Sequence, residues 1–109
     1  MSSSTVEKRE ALASTVRVTN DTLTVELADG RSIAAPVQWY PRLAHASSKE
    51  RNNWQLIGGG RGIHWPAIDE DISVARLLDG LPSLESQSSL KKWLATRTKR
   101  SGSVAKARK

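Results

Sequence analysis

Ile63-His64-Trp65-Pro66, followed by Asp69-Glu70-Asp71, is the stretch whose residue types suit acid–base chemistry. His64 can serve as a general base if Asp69 or Asp71 orients its ring. Arg42, Arg51 or Arg61 could then stabilise a phosphate, which would make a small ribonuclease or phosphodiesterase. The plainer reading makes His64 a strand residue bonded to backbone and packed beside Trp65, with the three acids capping a helix. We take the plainer reading and assign no catalytic residue. His45 falls in a short helix and is expected at the surface.

Other chemistries are weaker. There is no cysteine and there are two histidines, so thiol catalysis and cysteine-ligated zinc are excluded. Asp69-Glu70-Asp71 are neighbours on one short segment and rarely converge on one ion, so no metal and no cofactor is expected. Gly58 to Gly62 could be a phosphate cradle, but no Gly-Lys-Ser/Thr follows and no βαβ unit surrounds it. A hairpin connection with Arg61 exposed at its tip suits it better. Trp39, Tyr40, Trp54 and Trp65 could stack bases. Phe is absent from the chain, however, and burying a Trp is worth several kcal/mol, at ~25 cal/mol per Å2 over ~200 Å2. Trp54 and Trp65 are therefore assigned to the core. Trp39 and Tyr40 are the better candidates for an exposed contact.

The C-terminal segment carries the clearest functional signal. Lys91, Lys92, Arg97, Lys99, Arg100, Lys106, Arg108 and Lys109 are eight cations in residues 91–109, where no acid occurs. Of the chain's +6, residues 1–90 carry −2, so the body is near neutral. The segment reads either as a solvated end or as an arm for phosphates or an acidic partner. Full engagement of duplex DNA would give a salt slope of roughly −7, without base specificity. Leu90, Trp93 and Leu94 form a short apolar stripe, and such a helix can lie in a groove of a partner protein.

These residues need a scaffold, and the patterning supplies one. Val16 and Val18, then Leu23, Val25 and Leu27, then Ile33 mark three strands, with Asp29-Gly30 as a hairpin turn. Short helices follow over Trp39 to Ala46 and from Ser47 or Ser48 to about Asn53. Ser47 and Glu50 have the spacing of a capping box. Trp54–Ile57 and Ile63–Trp65 form a second strand pair. A helix is expected over Ile72–Leu78, capped by Asp71 or Ser73 and stopped at Gly80. A last helix is expected from Ser83 to about Arg97.

The fold class is therefore α+β. A small antiparallel sheet, a three-stranded meander plus a second strand pair, is packed with short helices and followed by a C-terminal helix and a basic disordered tail. The expected divisions are a disordered lead over 1–13, a domain over 14–81, a helix over 82–98 and the tail over 99–109. With 109 residues, one core is the expectation. No apolar run approaches the ~18–20 residues of a membrane span. Met1 to Glu10 lacks the apolar stretch of a secretory signal, and the absence of cysteine fits a cytoplasmic protein.

One run is more specific than patterning. Gly60-x-Gly62-Ile63-His64-Trp65-Pro66-x-Ile68-Asp69-Glu70-Asp71-Ile72-Ser73-Val74, then Leu77-Leu78-x-Gly80, resembles the bacterial domain-of-unknown-function 2442 family. Leu23 to Ile33, Trp39-Tyr40-Pro41-Arg42-Leu43 and Arg51-Asn52-Asn53-Trp54 agree with it, so the resemblance covers about residues 14–81. It implies a compact α+β domain with no established activity and no catalytic residues to carry over. Members often occur beside another small protein of unknown function, in what look like toxin–antitoxin pairs. Some relatives add a helix-turn-helix domain, which the chain after Gly80 is too short to form.

The expected function is that of a non-enzymatic binding protein, an antitoxin-like or regulatory partner in a bacterial two-gene pair. Its protein partner, the adjacent gene's product, would be met through Trp39, Tyr40, Arg42, Arg61, Leu90, Trp93 and Leu94. The cationic tail is available to nucleic acid or an acidic partner.

Overall fold

Alternation of apolar and polar residues from Ala13 to Pro36 becomes a three-stranded antiparallel meander in the computed structural model, which describes the backbone of residues 10–108 and the side chains of 10–97. Strands β1 (Ala13–Val18), β2 (Thr22–Leu27) and β3 (Ser32–Pro36) lie in chain order. Val16 sits opposite Val25, Leu23 opposite Ala35, and Val25 opposite Ile33. The period of two sends Leu23, Val25 and Leu27 to the buried face. Asp29-Gly30 makes the turn. Gly30 holds φ at +97°, and the Asp29 carboxylate accepts from the Arg31 amide at 3.0 Å.

The lead begins to order earlier than the sequence suggested. Ala13 is already a buried strand residue, and the Ala28 amide donates to the Leu12 carbonyl at 2.8 Å. Pairing with β2 reaches this far because a bulge between Ala13 and Thr15 keeps Ala13 turned inward. Residues 1–9 of the expected lead lie outside the described residues.

Two single-turn helices follow, α1 (Pro41–Ala44) and α2 (Ser48–Arg51). Pro41 stands in the first turn of α1, where its missing N–H costs nothing. Ser47 caps α2 in a full capping box. Its Oγ accepts from the Glu50 amide at 3.1 Å, and its own amide donates to Glu50 Oε1 at 2.8 Å. Arg51 is buried and donates to the carbonyls of Leu43 and Ala44 and to Asn20 Oδ1. It thus satisfies the end of α1, which a candidate phosphate ligand would not do.

The second sheet has one strand more than the expected pair. Strands β4 (Gln55–Ile57), β5 (Gly62–Trp65) and β6 (Glu70–Ser73) are antiparallel, with His64 opposite Asp71 and Trp65 opposite Glu70. The sequence reading began a helix at Ile72. The acids before it instead alternate with Ile72, burying Glu70 and Ile72 and exposing Asp71 and Ser73. Pairing to β5 satisfies this stretch better than helix would. Helix α3 is consequently short, Val74–Leu78, with Ser73 as its cap and Gly80 at φ +72° beyond its end.

Both sheets contribute to one core. Leu23, Val25, Val37, Leu43, Ile63, Trp65, Ile68 and Val74 are essentially inaccessible. The glycine loop locks the sheets together. Gly60 has φ +103°, and a Cβ there would stand 2.9 Å from the Ala13 carbonyl oxygen. Only glycine permits this approach.

Residues 81–86 form no regular element, and helix α4 runs over Gln87–Arg108. Ser86 caps it, accepting from the Ser89 amide at 3.0 Å, so it starts later than expected. Its helical backbone also continues past Arg97, since nothing after Pro82 blocks helical φ. The basic tail therefore begins inside helical backbone. No helix among the described residues is long and apolar enough to cross a membrane.

Candidate functional site

The segment 81–86 and the first three turns or so of α4 bring four residues spaced by four against the domain: Glu85, Ser89, Trp93 and Arg97. Each has a specific partner. Arg42, on α1, makes a bidentate pair with Glu85 at 2.7 and 3.1 Å and also donates to the Ile68 carbonyl at 2.9 Å. Ser89 Oγ donates to the same Glu85 carboxylate at 2.5 Å. Arg97 makes a second bidentate pair with Glu50 on α2, at 2.9 and 3.0 Å. Trp93 lies between these anchors, half-buried against the core. Guanidinium carbons of Arg97 and Arg42 lie 4.6 and 5.1 Å from its ring centroid. Two charge-assisted forks and a cation–π stack thus hold α4 at a fixed angle.

The clamp leaves the flanks of α4 open. On one, Leu90, Lys91 and Leu94 line a groove of about 320 Å3 with Gln87 and Ser88. On the other, Lys92, Trp93 and Thr96 border an open groove of about 480 Å3 beside Arg42 and Asp69. Lys91 and Lys92 are exposed.

The structure divides the residues that sequence placed in one surface. Trp93 turns inward while Leu90 and Leu94 stay on the flank, so the expected stripe is split between domain and solvent. Arg42 belongs to the clamp and has little accessible surface left. Arg61 is exposed but lies elsewhere, paired with Glu10 at 2.8 Å and donating to the Gly58 carbonyl at 2.9 Å. Tyr40 is not a surface contact. It is 3% exposed, because the 3₁₀ turn over Val37–Trp39 rolls it under the domain. Trp39 is half-buried against the core, as is Trp54, and Trp65 is fully inside. Arg97 is part of the clamp rather than of a free cationic arm. The side chains of Lys99, Arg100, Lys106, Arg108 and Lys109 lie outside the described residues.

His64 and Asp71 do meet. Nδ1 lies 2.5 Å from Asp71 Oδ1 across the β5–β6 pair, so its partner is a carboxylate and not backbone. The arginines proposed to assist it are committed elsewhere: Arg42 to Glu85, Arg51 to α1, Arg61 to Glu10. The three acids also diverge. Asp69 is exposed at φ +54°, Glu70 points inward and Asp71 faces His64. Among the described residues no group of three His, Asp or Glu side chains could hold a metal ion.

Glu85 was not singled out in sequence and Glu50 was read only as part of a helix cap, yet the two anchor the site. Arg97 beside Glu50 holds that carboxyl at about 2, well below its ordinary 4.5, and Arg42 likewise lowers Glu85. A carboxyl depressed on folding stabilises the folded state above its unfolded pKa. That stability is lost as pH falls through the folded value. Urea midpoints should therefore fall as pH is lowered from about 4.5 towards about 2. Glu50→Gln should weaken this dependence, and an unchanged slope would show that the Glu50–Arg97 pair contributes nothing.

A family model described as "Protein of unknown function (DUF2442)" matches residues 13–83. A solved structure, a protein of unknown function from Rhodospirillum rubrum ATCC 11170, is similar. The two are 25% identical, the match covers 75% of this chain and 99% of that chain, and the TM-score is 0.62. No curated protein matches. The two domain anchors, Arg42 and Glu50, fall within the family match, whereas Glu85, Trp93 and Arg97 lie beyond it.

Proposed function

The chain belongs to the DUF2442 family, and from that premise we propose that it is a non-enzymatic binding protein whose C-terminal helix meets a protein partner. The clamp carries this reading. A helix that only aided solubility would need no bidentate Arg42–Glu85 and Arg97–Glu50 pairs to fix its direction. Fixing α4 removes the entropy that a loose helix would lose on binding. It also leaves Leu90 and Leu94 beside Lys91, an apolar strip next to positive charge.

The occupant that suits this strip is an amphipathic segment with acidic flanks. Every ionisable residue of α4 is basic, and the chain's last acid is Glu85. The family resemblance supplies the setting: an antitoxin-like or regulatory cytoplasmic protein beside a second small gene, whose product is the partner. The same charge attracts nucleic acid, but no described base-reading group accompanies it.

Titrating the adjacent gene's product into the full chain and into a chain ending at Ser83 tests the proposal. The full chain should bind, and the truncated chain should stay folded and bind at least about tenfold more weakly. Equal affinity for both would refute it.

A further inference from the structure

Beneath the segment 81–84 lies a cleft of about 250 Å3, independent of the outer flanks of α4. It runs along the unpaired edge of β6, with Tyr40 and Glu70 inside it, Arg76 on α3 at one side, and Leu81, Pro82 and Ile72 as apolar walls.

Two polar side chains line this cleft, and one of them is buried without a partner. Tyr40 is 3% exposed and its hydroxyl makes no hydrogen bond. Glu70 is 8% exposed, and its carboxylate, which makes no described hydrogen bond, keeps some contact with solvent. Such groups are costly unless something satisfies them. Arg76 donates to the Pro82 carbonyl at 3.0 Å, and its guanidinium has five N–H groups, so donors remain. A carboxylate with no described hydrogen bond, a guanidinium with spare donors and apolar walls thus share one small cavity. Its volume corresponds to about eight waters at ~30 Å3 each.

We propose that this cleft binds a free α-amino acid with a compact apolar side chain, its ammonium on Glu70 and its carboxylate on Arg76. A zwitterion meets both charges at once, whereas an amine or an acid alone would leave one unanswered. Leu81 and Pro82 would pack on the side chain from the segment leading to α4. This inference does not rest on the partner-binding role.

Protonation sets its pH dependence. Burial raises the Glu70 carboxyl to about 7, Glu85, Asp71 and Asp69 push the same way, and Arg42 opposes them. Tyr40 and Arg76 face the same cleft. A neutral Glu70 cannot pair an ammonium, so affinity should rise about tenfold from pH 6 to pH 8, following the ionised fraction.

The test is a titration of the full chain with L-leucine, 4-methylpentanoate and isoamylammonium, read by NMR shifts at pH 8. Leucine should bind saturably, and the other two at least about tenfold more weakly. Glu70→Gln, which keeps the side-chain shape, should weaken leucine binding by a similar factor, and so should Arg76→Met. Absence of saturable leucine binding, equal binding of 4-methylpentanoate or isoamylammonium, or unchanged affinity in Glu70→Gln or Arg76→Met would each overturn the proposal.

Discussion

Trp65→Ala should destabilise the domain by about 3–5 kcal/mol, the usual cost of removing a buried tryptophan from a core. Trp65 is fully buried on the central strand of the second sheet. Its Nε1 donates to the Arg51 carbonyl at 3.0 Å, tying that sheet to the end of α2. The substitution therefore opens a cavity and also strands a buried carbonyl. Thermal unfolding of wild type and variant should show a fall in Tm of more than about 12 °C, at about 4 °C or more per kcal/mol for a domain of this size. Trp65→Phe, which fills much of the volume but cannot donate, should fall between the two. Equal stability of Trp65→Ala and wild type would mean that the two sheets do not share one core.

Trp65 was legible in the sequence because a chain without Phe has few ways to fill a core. The first sheet was legible for a different reason. Period-two alternation over Val16 to Ile33 and the Asp29-Gly30 turn are local signals, and nothing distant overrides them. Glu70–Ser73 failed for the complementary reason. Asp69-Glu70-Asp71 before an apolar run has the composition of a helix start, and only the available edge of β5 makes it a strand. Tyr40 failed because its burial depends on how the 3₁₀ turn after Pro36 rolls, which alternation does not encode.

The clamp was half legible. Ser47 and Glu50 were read as a capping box, and they form one. That Glu50 also receives Arg97, 47 positions away, is a tertiary fact with no local signature. The spacing of Glu85, Ser89, Trp93 and Arg97 by four was present in the sequence. It mixes an acid, a hydroxyl, an indole and a base, so a search for apolar periodicity passes over it and picks the Leu90-Trp93-Leu94 stripe instead. The family match stops at residue 83, so resemblance could not place the helix either.

Separating the two sides of α4 leads to the second large effect. Leu90 and Leu94 are half-buried but lie outside the core cluster, whereas Trp93 packs on it. Leu90→Glu with Leu94→Glu should leave folding intact, because neither side chain packs against the core cluster. The same pair should weaken partner binding at least tenfold, roughly 1.4 kcal/mol or more, by placing acids where an acidic, apolar segment would lie. Trp93→Ala should behave differently, lowering both stability and affinity, since it loosens the clamp that sets the direction of the helix.

Calorimetric titration of the adjacent gene's product into wild type and the Leu90→Glu, Leu94→Glu variant, alongside their thermal midpoints, addresses the binding role most directly. A clamped helix that presents its outer flank predicts matching midpoints and at least a tenfold rise in Kd. Matching midpoints with an unchanged Kd would contradict it.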